Sequence, residues 1–267
     1  MANLFIFGLG YTASRIADVM REHGWHVDAT GSDGNIDFAD ATAVESALQK
    51  ASHVLSSVPP DRSSGLDPVL DTYSSRIGQS WLGYLSSTGV YGDAGGAWVD
   101  ENSPIGTGRR SARSEADEEW LKMGARVFRL PGIYGPGRSA LDRVRDGKAH
   151  RIDMPGQVFS RIHVDDIVSG VVAAMTGDAP PGAYNLGDDL PASHNAVTEE
   201  ACRLLGTAPP PLQTMDEAGL SDMARGFYAE NRRVANAKAK RVLGWEPRYP
   251  TYREGLAALA AGLTVRE

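Results

Sequence analysis

Six residues near the start of the chain, Gly8-Leu9-Gly10-Tyr11-Thr12-Ala13, have the types and spacing to hold a diphosphate. An apolar run, Leu4-Phe5-Ile6-Phe7, leads into Gly8. Such a run suits a parallel strand, which is covered on both faces. Gly8 permits a tight turn, Gly10 lets the backbone approach a pyrophosphate, and Ala13 keeps the following helix close to the strand. The helix start then offers free N–H groups and the positive end of a dipole. With 30 glycines in 267 residues, the bare motif also fits an ordinary strand–turn–helix connection. Its context favours a dinucleotide: Ser14 to His23 carries Ile16, Val19 and Met20 at helical spacing, and Gly24 closes that helix.

The elements that must position this turn alternate along the first half of the chain. The pattern predicts strands at 25–30, Asn35–Phe38, His53–Val58, Trp81–Ser87 and Ala125–Leu130. It predicts helices over Ala41–Ala51, Pro68–Ile77 and Ala112–Met123. Further on come a helix over Ile167–Met175, a returning strand at Ala183–Leu186, a rigid Ala208–Pro211 connector and a final amphipathic helix from Tyr252 to about Leu263. Repeated strand–helix units imply an α/β fold with a parallel sheet and right-handed crossovers. Small and polar residues gather where strands end, at Gly8–Thr12, Thr30–Asp33, Ser56–Pro59, Ser86–Tyr91 and Pro131–Tyr134. Ligands of such sheets bind beyond those ends.

Composition narrows the class. Hydrophobic content of 42% and charged content of 23% are ordinary for a globular protein. A net charge of −7 gives no footprint for nucleic acid. No apolar run approaches the roughly 20 residues of a membrane span, and the opening residues do not read as a signal peptide. Cys202 is the single cysteine, so an internal disulfide is excluded, and its helical surroundings make it a buried structural thiol. A reducing cytoplasm is the expected compartment. The six histidines show no metal-ligand spacing, so no metal is expected.

Taken in order, several landmarks resemble the extended short-chain dehydrogenase/reductases, the NAD-dependent epimerase/dehydratase family, in its atypical members. They are Gly8–Ala13, Asp37-Phe38, Leu85-Ser86-Ser87-Thr88-Gly89-Val90-Tyr91-Gly92, and Arg129-Leu130-Pro131-Gly132-Ile133-Tyr134-Gly135-Pro136-Gly137. Arg161–Ile167, Tyr184-Asn185-Leu186-Gly187, Leu243-Gly244-Trp245-Glu246-Pro247 and Tyr252–Leu256 follow. The resemblance implies a Rossmann-type doubly wound parallel sheet, residues 1–135 plus 161–188, with a smaller C-terminal substrate lobe, 136–160 plus 189–267. It implies a bound nicotinamide dinucleotide, NAD or NADP, a small-molecule substrate and a homodimer joined through helices. Gly8, Gly10, Tyr11, Thr12, Thr30, Ser32, Asp37, Phe38, Ser57, Val58, Pro59, Pro131 and Ile133 are the expected cofactor contacts.

The chain departs from the family at its chemistry. The family uses a Tyr and a Lys four residues apart on one helix face. The Lys and the oxidised nicotinamide lower the phenol from about 10 so that it exchanges a proton with substrate. Here that stretch reads Gly108-Arg109-Arg110-Ser111-Ala112-Arg113, which sets Arg109 at the Tyr position and Arg113 at the Lys position. No Tyr or Lys lies between Gly92 and Trp120. An Arg gives up no proton. Ser87 still fits the orienting hydroxyl, and Arg113 the ribose contact. Three readings stay open: Tyr91 or Tyr134 replaces the missing phenol; a water supplies the proton while Arg109 or Arg110 holds an anionic substrate; or the dinucleotide is bound as a signal without turnover. Packing explains either phenol by itself, and a solvated face paired with Glu115, Asp117 and Glu118 explains the arginines. Catalytic expectations therefore fall on Ser87, Tyr91 and Arg113.

The cofactor's phosphate state also stays open. Thr30 and Ser32 suit a phosphate, and Asp33 suits a ribose diol or merely a Ser-Asp-Gly turn. Arg161 and the Glu230–Val234 stretch are candidate substrate contacts. His163 reads as structural, and Asp165-Asp166 as helix-capping.

Overall fold

The computed structural model describes residues 2–264 except 79, 107, 109, 110 and 178. The chain begins β1 (Asn3–Phe7), α1 (Tyr11–Glu22), β2 (His26–Ala29), α2 (Ala41–Lys50), β3 (His53–Ser56), α3 (Pro68–Tyr73) and β4 (Trp81–Ser87). It continues through β5 (Trp98–Val99), α4 (Ser111–Lys122), β6 (Arg126–Leu130), β7 (Gly132–Tyr134), α5 (Ala140–Arg145), β8 (Arg151–Ile152) and β9 (Arg161–His163). The rest is α6 (Val164–Thr176), β10 (Gly182–Asn185), α7 (His194–Leu205), β11 (Leu212–Gln213), α8 (Asp222–Phe227), β12 (Arg233–Val234), α9 (Ala237–Leu243) and α10 (Tyr252–Thr264).

Six strands form one parallel sheet in the order β10-β6-β4-β3-β1-β2. The order reverses at β1, between β2 and β3, and a crevice opens at such a reversal. Strand alternation explains why β1 is apolar from Leu4 to Phe7. Leu4 and Ile6 pack with Ile16 and Met20 of α1 and Ile167 and Val171 of α6. Phe5 and Phe7 point to the other face, against Val44, Tyr73 and Trp120 of α2, α3 and α4. A smaller core, with Leu141, Val197, Ala201, Tyr252 and Leu256, joins α5, α7 and α10. Two-residue and three-residue pairs, β7 with β9, β5 with β12 and β8 with β11, tie the later chain to the strand ends.

The expected strand at Asn35–Phe38 does not form. Asn35 accepts from Ala29 N–H through its side-chain oxygen (2.9 Å) and donates to Asp28 (2.7 Å), while Ile36 N–H reaches Ala29 O. The side chain caps the sheet edge where a further strand would pair. The cap of α6 also differs from expectation. His163 Nδ1 accepts from Asp165 N–H (3.2 Å), whereas buried Asp166 turns away to accept from Arg248 and Tyr249 N–H (2.6 and 3.2 Å). Burial pushes Asp166 up to about 6 against the pull of those two bonds. Cys202 is buried in α7, and Gly24 ends α1 with φ 78°.

Candidate functional site

The turn after β1 is clamped from both sides. Gly8 N–H donates to Thr30 Oγ1 (3.1 Å), Ser57 Oγ donates to Gly8 O, and Leu9 N–H donates to Thr30 O (2.7 Å). Gly8 has φ 83°, and a Cβ there would press on Val58 Cγ2 at 2.8 Å, so both conformation and space demand glycine. Gly31 lies backbone to backbone against Leu9 N. Thr30 and Ser57 thus shape the turn from beneath. The expectation that the Thr30 hydroxyl meets a phosphate is corrected: it is buried and engaged by Gly8.

Gly10 differs from Gly8. Its φ is −105°, and a Cβ would meet nothing within 4 Å. No side chain caps α1, and no acid lies in its first turn. The first-turn amides of Tyr11 and Thr12 lack acceptors within the helix. An open space above uncapped amides fits a diphosphate. Beside it, a cavity of about 360 Å³ is lined by Gly31, Gly34, Asn35, Ile36, Asp37 and Phe38. Phe38 is held edge-on to Tyr73 at 5.2 Å, and Tyr73 donates to its carbonyl (2.5 Å). Asp37 and Ser32 are exposed there. Tyr11 packs under the Arg15 guanidinium at 4.0 Å and donates to Pro136 O (3.1 Å), closing the turn against the loop after β7. Pro131 is buried and Ile133 half-buried on that side. The residues present fit a nicotinamide dinucleotide: the α1 amides would hold its phosphates, and the Asp37-Phe38 cavity its adenosine.

The register of α4 on β4 fixes what stands at the far end. Trp120 stacks on Tyr84 at 5.4 Å, Ser86 Oγ donates to Asp117 (2.6 Å), and Ser114 donates to Val90 O (3.4 Å). Successive turns of the helix therefore climb the strand, and the turn with Ser114 reaches Val90, just past its end. Ser87 accepts from Gly89 N–H (3.1 Å), which leaves its own proton to donate. Arg113 is half-buried, with no hydrogen bond or ion pair among the described residues, so the expected pairing with Glu115, Asp117 or Glu118 is absent there. Arg109 and Arg110 lie outside the described residues.

Tyr91 is corrected. It is 2% exposed, donates to Asn185 Oδ1 (2.7 Å) and accepts from Arg129 (3.0 Å). Burial pushes it up to about 12 despite the adjacent guanidinium. It belongs to a buried network in which Arg129 grips both oxygens of Asp117 (2.7 and 3.1 Å). Sequence reading missed this pair, although a charge inside the apolar run Val127-Phe128-Arg129-Leu130 was its signal. Tyr134 is buried with its hydroxyl aimed at Gly255. Arg161 is no open anion site: it donates to the carbonyls of Phe159 and Ala192 (both 2.8 Å). Arg232 and Arg233 likewise donate to Gly92 O (2.5 Å) and Gly96 O. Asn231, also missed as a structural hub, accepts from Ala94, Gly96 and Val158 N–H and donates to Asp93 and Gly156. These bonds bind the 92–97 and 156–158 loops to the 230–234 strand segment.

Among the described residues no group of three or more His, Cys, Asp or Glu could hold a metal, and no helix is long and apolar enough to cross a membrane. No protein-family model matches the chain. The architecture is that of NAD-dependent sugar-nucleotide epimerases and dehydratases. A UDP-glucose 4-epimerase from Thermotoga maritima aligns over 99% of both chains with TM-score 0.78 and 19% identity. A dTDP-glucose 4,6-dehydratase from Bacillus anthracis, solved with NAD, aligns over 100% of this chain and 98% of its own with TM-score 0.77 and 16% identity. The resemblance to the extended short-chain dehydrogenase/reductases thus holds at the level of fold. A functionally unknown conserved protein from Silicibacter pomeroyi is 39% identical over 98% of this chain and 99% of its own, with TM-score 0.86. The chain belongs to the same family as that protein. Among curated relatives, a 3-diazoavenalumate denitrifying reductase from Streptomyces is 36% identical over 141 residues, 49% of this chain and 45% of the reductase. Protein YeeZ of Escherichia coli is 26% identical over 94% of this chain and 97% of its own length.

Proposed function

We propose that this protein is an NAD(P)-dependent oxidoreductase or epimerase-type enzyme acting on a small molecule that bears a hydroxyl or carbonyl group, by a route that does without the Tyr/Lys pair. The carrying observation is the uncapped, open start of α1 at Gly10, together with a cavity lined by Gly31 and the Asp37-Phe38 stretch. The cofactor in relatives of this fold and the reductase activity of the Streptomyces relative support the same reading. A bound nicotinamide supplies or accepts a hydride. Ser87 donates a hydrogen bond to the reacting oxygen, and Arg113 contributes positive charge beside it. The substrate sits between the ends of the sheet and the 136–160 and 189–267 segments, in a cytoplasmic setting.

The test is thermal unfolding with NADH and NADPH. Ligand at 100 times its Kd stabilises by about 2.7 kcal/mol, and about 2–4 °C per kcal/mol is typical at this size. A rise of about 5–10 °C is expected for one of them. Gly10→Val, whose side chain enters the open space, should fold normally and lose the rise. No rise at millimolar cofactor, or an equal one in Gly10→Val, overturns the reading. A dinucleotide sensor without turnover is the second reading, favoured by the burial of Tyr91 and Tyr134. Bound cofactor that no hydroxyl or carbonyl compound oxidises or reduces would establish it.

A further inference from the structure

The turn after β2 bears on the cofactor's phosphate state. Residues 31–34 form a four-residue turn, closed by Gly34 N–H donating to Gly31 O (3.0 Å). Both closing glycines line the cavity assigned to the adenosine, together with Asn35, Ile36, Asp37 and Phe38. Ser32 and Asp33 stand at the exposed tip between them. The turn is pinned at each end. A Cβ on Gly31 would lie 2.7 Å from Leu9 N, and one on Gly34 would run into Ala29 O and lie 2.6 Å from Thr30 C. Gly31 also has φ 111°, which side chains disfavour. Asn35 fixes the exit through its bonds to Ala29 N–H (2.9 Å) and Asp28 (2.7 Å). A backbone packed this closely on its neighbours has no slack to swing aside for a larger ligand.

The charge around the turn is of one sign. From Val27 to Gln49 the chain has no Lys, Arg or His, and it carries Asp28, Asp33, Asp37, Asp40 and Glu45. The cavity lining holds Asp37 and no cation. Three of these aspartates are engaged: Asp28 accepts from Asn35 (2.7 Å), Asp37 from Ala39 N–H (3.0 Å) and Asp40 from Ala43 N–H (3.0 Å). Asp33 makes no hydrogen bond or ion pair among the described residues. It follows Ala13 by roughly 20 residues, the interval at which a dinucleotide fold sets its ribose-binding acid. Of the two hydroxyls that suit a phosphate, that of Thr30 is buried under the β1 turn and accepts from Gly8 N–H (3.1 Å). Ser32 remains, a single neutral hydroxyl next to an acid.

A ribose diol offers two O–H donors, which a carboxylate accepts. A 2′-phosphate brings a charge of about −1.5 to −2 at pH 7 and acceptor oxygens. Here it would enter a border of carboxylates without a counter-ion in the lining, and it would deprive Asp33 of a donor. We infer that the protein takes NAD and rejects NADP, with Asp33 on the pinned Gly31–Gly34 turn as the selecting residue. The inference rests on the reading of the α1 start and this cavity as a dinucleotide site. A hydrogen bond to a charged group is worth about ten- to a hundredfold in affinity. NADH should therefore bind at least about tenfold more tightly than NADPH.

Calorimetric titration of the purified protein with each dinucleotide measures this without turnover. Asp33→Asn removes the charge and suits a turn, where Asn is well accepted. It should weaken NADH, tighten NADPH and bring their dissociation constants to within about threefold of each other. Ser32→Arg/Asp33→Asn, which adds a cation, should favour NADPH. Circular dichroism and the Tm without ligand check that both variants fold. NADPH bound as tightly as NADH by the wild type, or a preference that Asp33→Asn leaves unchanged, overturns the inference while the dinucleotide reading stands. Neither heat nor a thermal shift with either dinucleotide overturns both.

Discussion

Asp188 follows the β10 strand end and is 1% exposed, with no side-chain hydrogen bond among the described residues and only the Leu190 and Arg161 backbone amides turned toward it. The nearby Arg161 guanidinium is turned to the Phe159 and Ala192 carbonyls. Burial pushes the Asp188 carboxyl up to about 8, against the attraction of Arg161. A raised carboxyl is protonated in the fold and ionised in the unfolded chain, so the unfolded state binds fewer protons and stability falls as pH rises. The loss begins near 3.8, grows through neutrality and levels off above about 8. At pH 7 the difference is roughly three units at 1.36 kcal/mol each, or about 4 kcal/mol. Asp188→Asn removes the ionisation and keeps the shape. Its amide brings a buried donor of its own, at a cost of about 1–3 kcal/mol. The variant should therefore be close to or below wild type at pH 4–5 and above it by about 1–3 kcal/mol at pH 7, or about 2–10 °C in Tm. Paired melts across pH 4 to 9 check this. A Tm difference that stays flat with pH, or turns against the variant above pH 7, refutes the reasoning.

Arg129→Met strands the Asp117 carboxylate and should cost about 3–5 kcal/mol by denaturant unfolding, most of it recovered in Arg129→Met/Asp117→Leu. Gly255→Ala sets a methyl on the Tyr134 hydroxyl and should cost about 1–3 kcal/mol. Because that hydroxyl has no described hydrogen-bond partner, Tyr134→Phe should be nearly neutral alone and relieve only part of the Gly255→Ala cost, since the methyl still meets the ring carbons at 2.7 and 2.8 Å; a double-mutant cycle measures the share.

Much of the frame was legible because it follows from periodicity. Phe5 and Phe7 against Leu4 and Ile6 announce a strand covered on two faces, and Ile16 and Met20 a helix covering one of them. The Gly8 turn was legible because its φ admits little else. The misread segments are those where a side chain substitutes for backbone pairing. Asn35 imitates a strand neighbour at the sheet edge, and His163 takes the capping place that the two aspartates suggested. Polar partners far apart in sequence were illegible for the same reason. Asp117 and Arg129 meet across a helix and a strand, and spacing along one element says nothing about that. Tyr91 looked available because it ends a strand motif, while its burial depends on Asn185, which arrives 94 residues later.

The clasp at residue 231 has a consequence for how such a protein diversifies. Its hold on the 92–97 loop runs mostly through main-chain atoms, the Ala94 and Gly96 amides and the Gly92 and Gly96 carbonyls. Mutation can exchange the exposed side chains at 97 and 98 without loosening the path of that loop. Exchange at these exposed positions changes the chemistry of the surface while the backbone path stays put, so the loop can vary by single steps and without refolding.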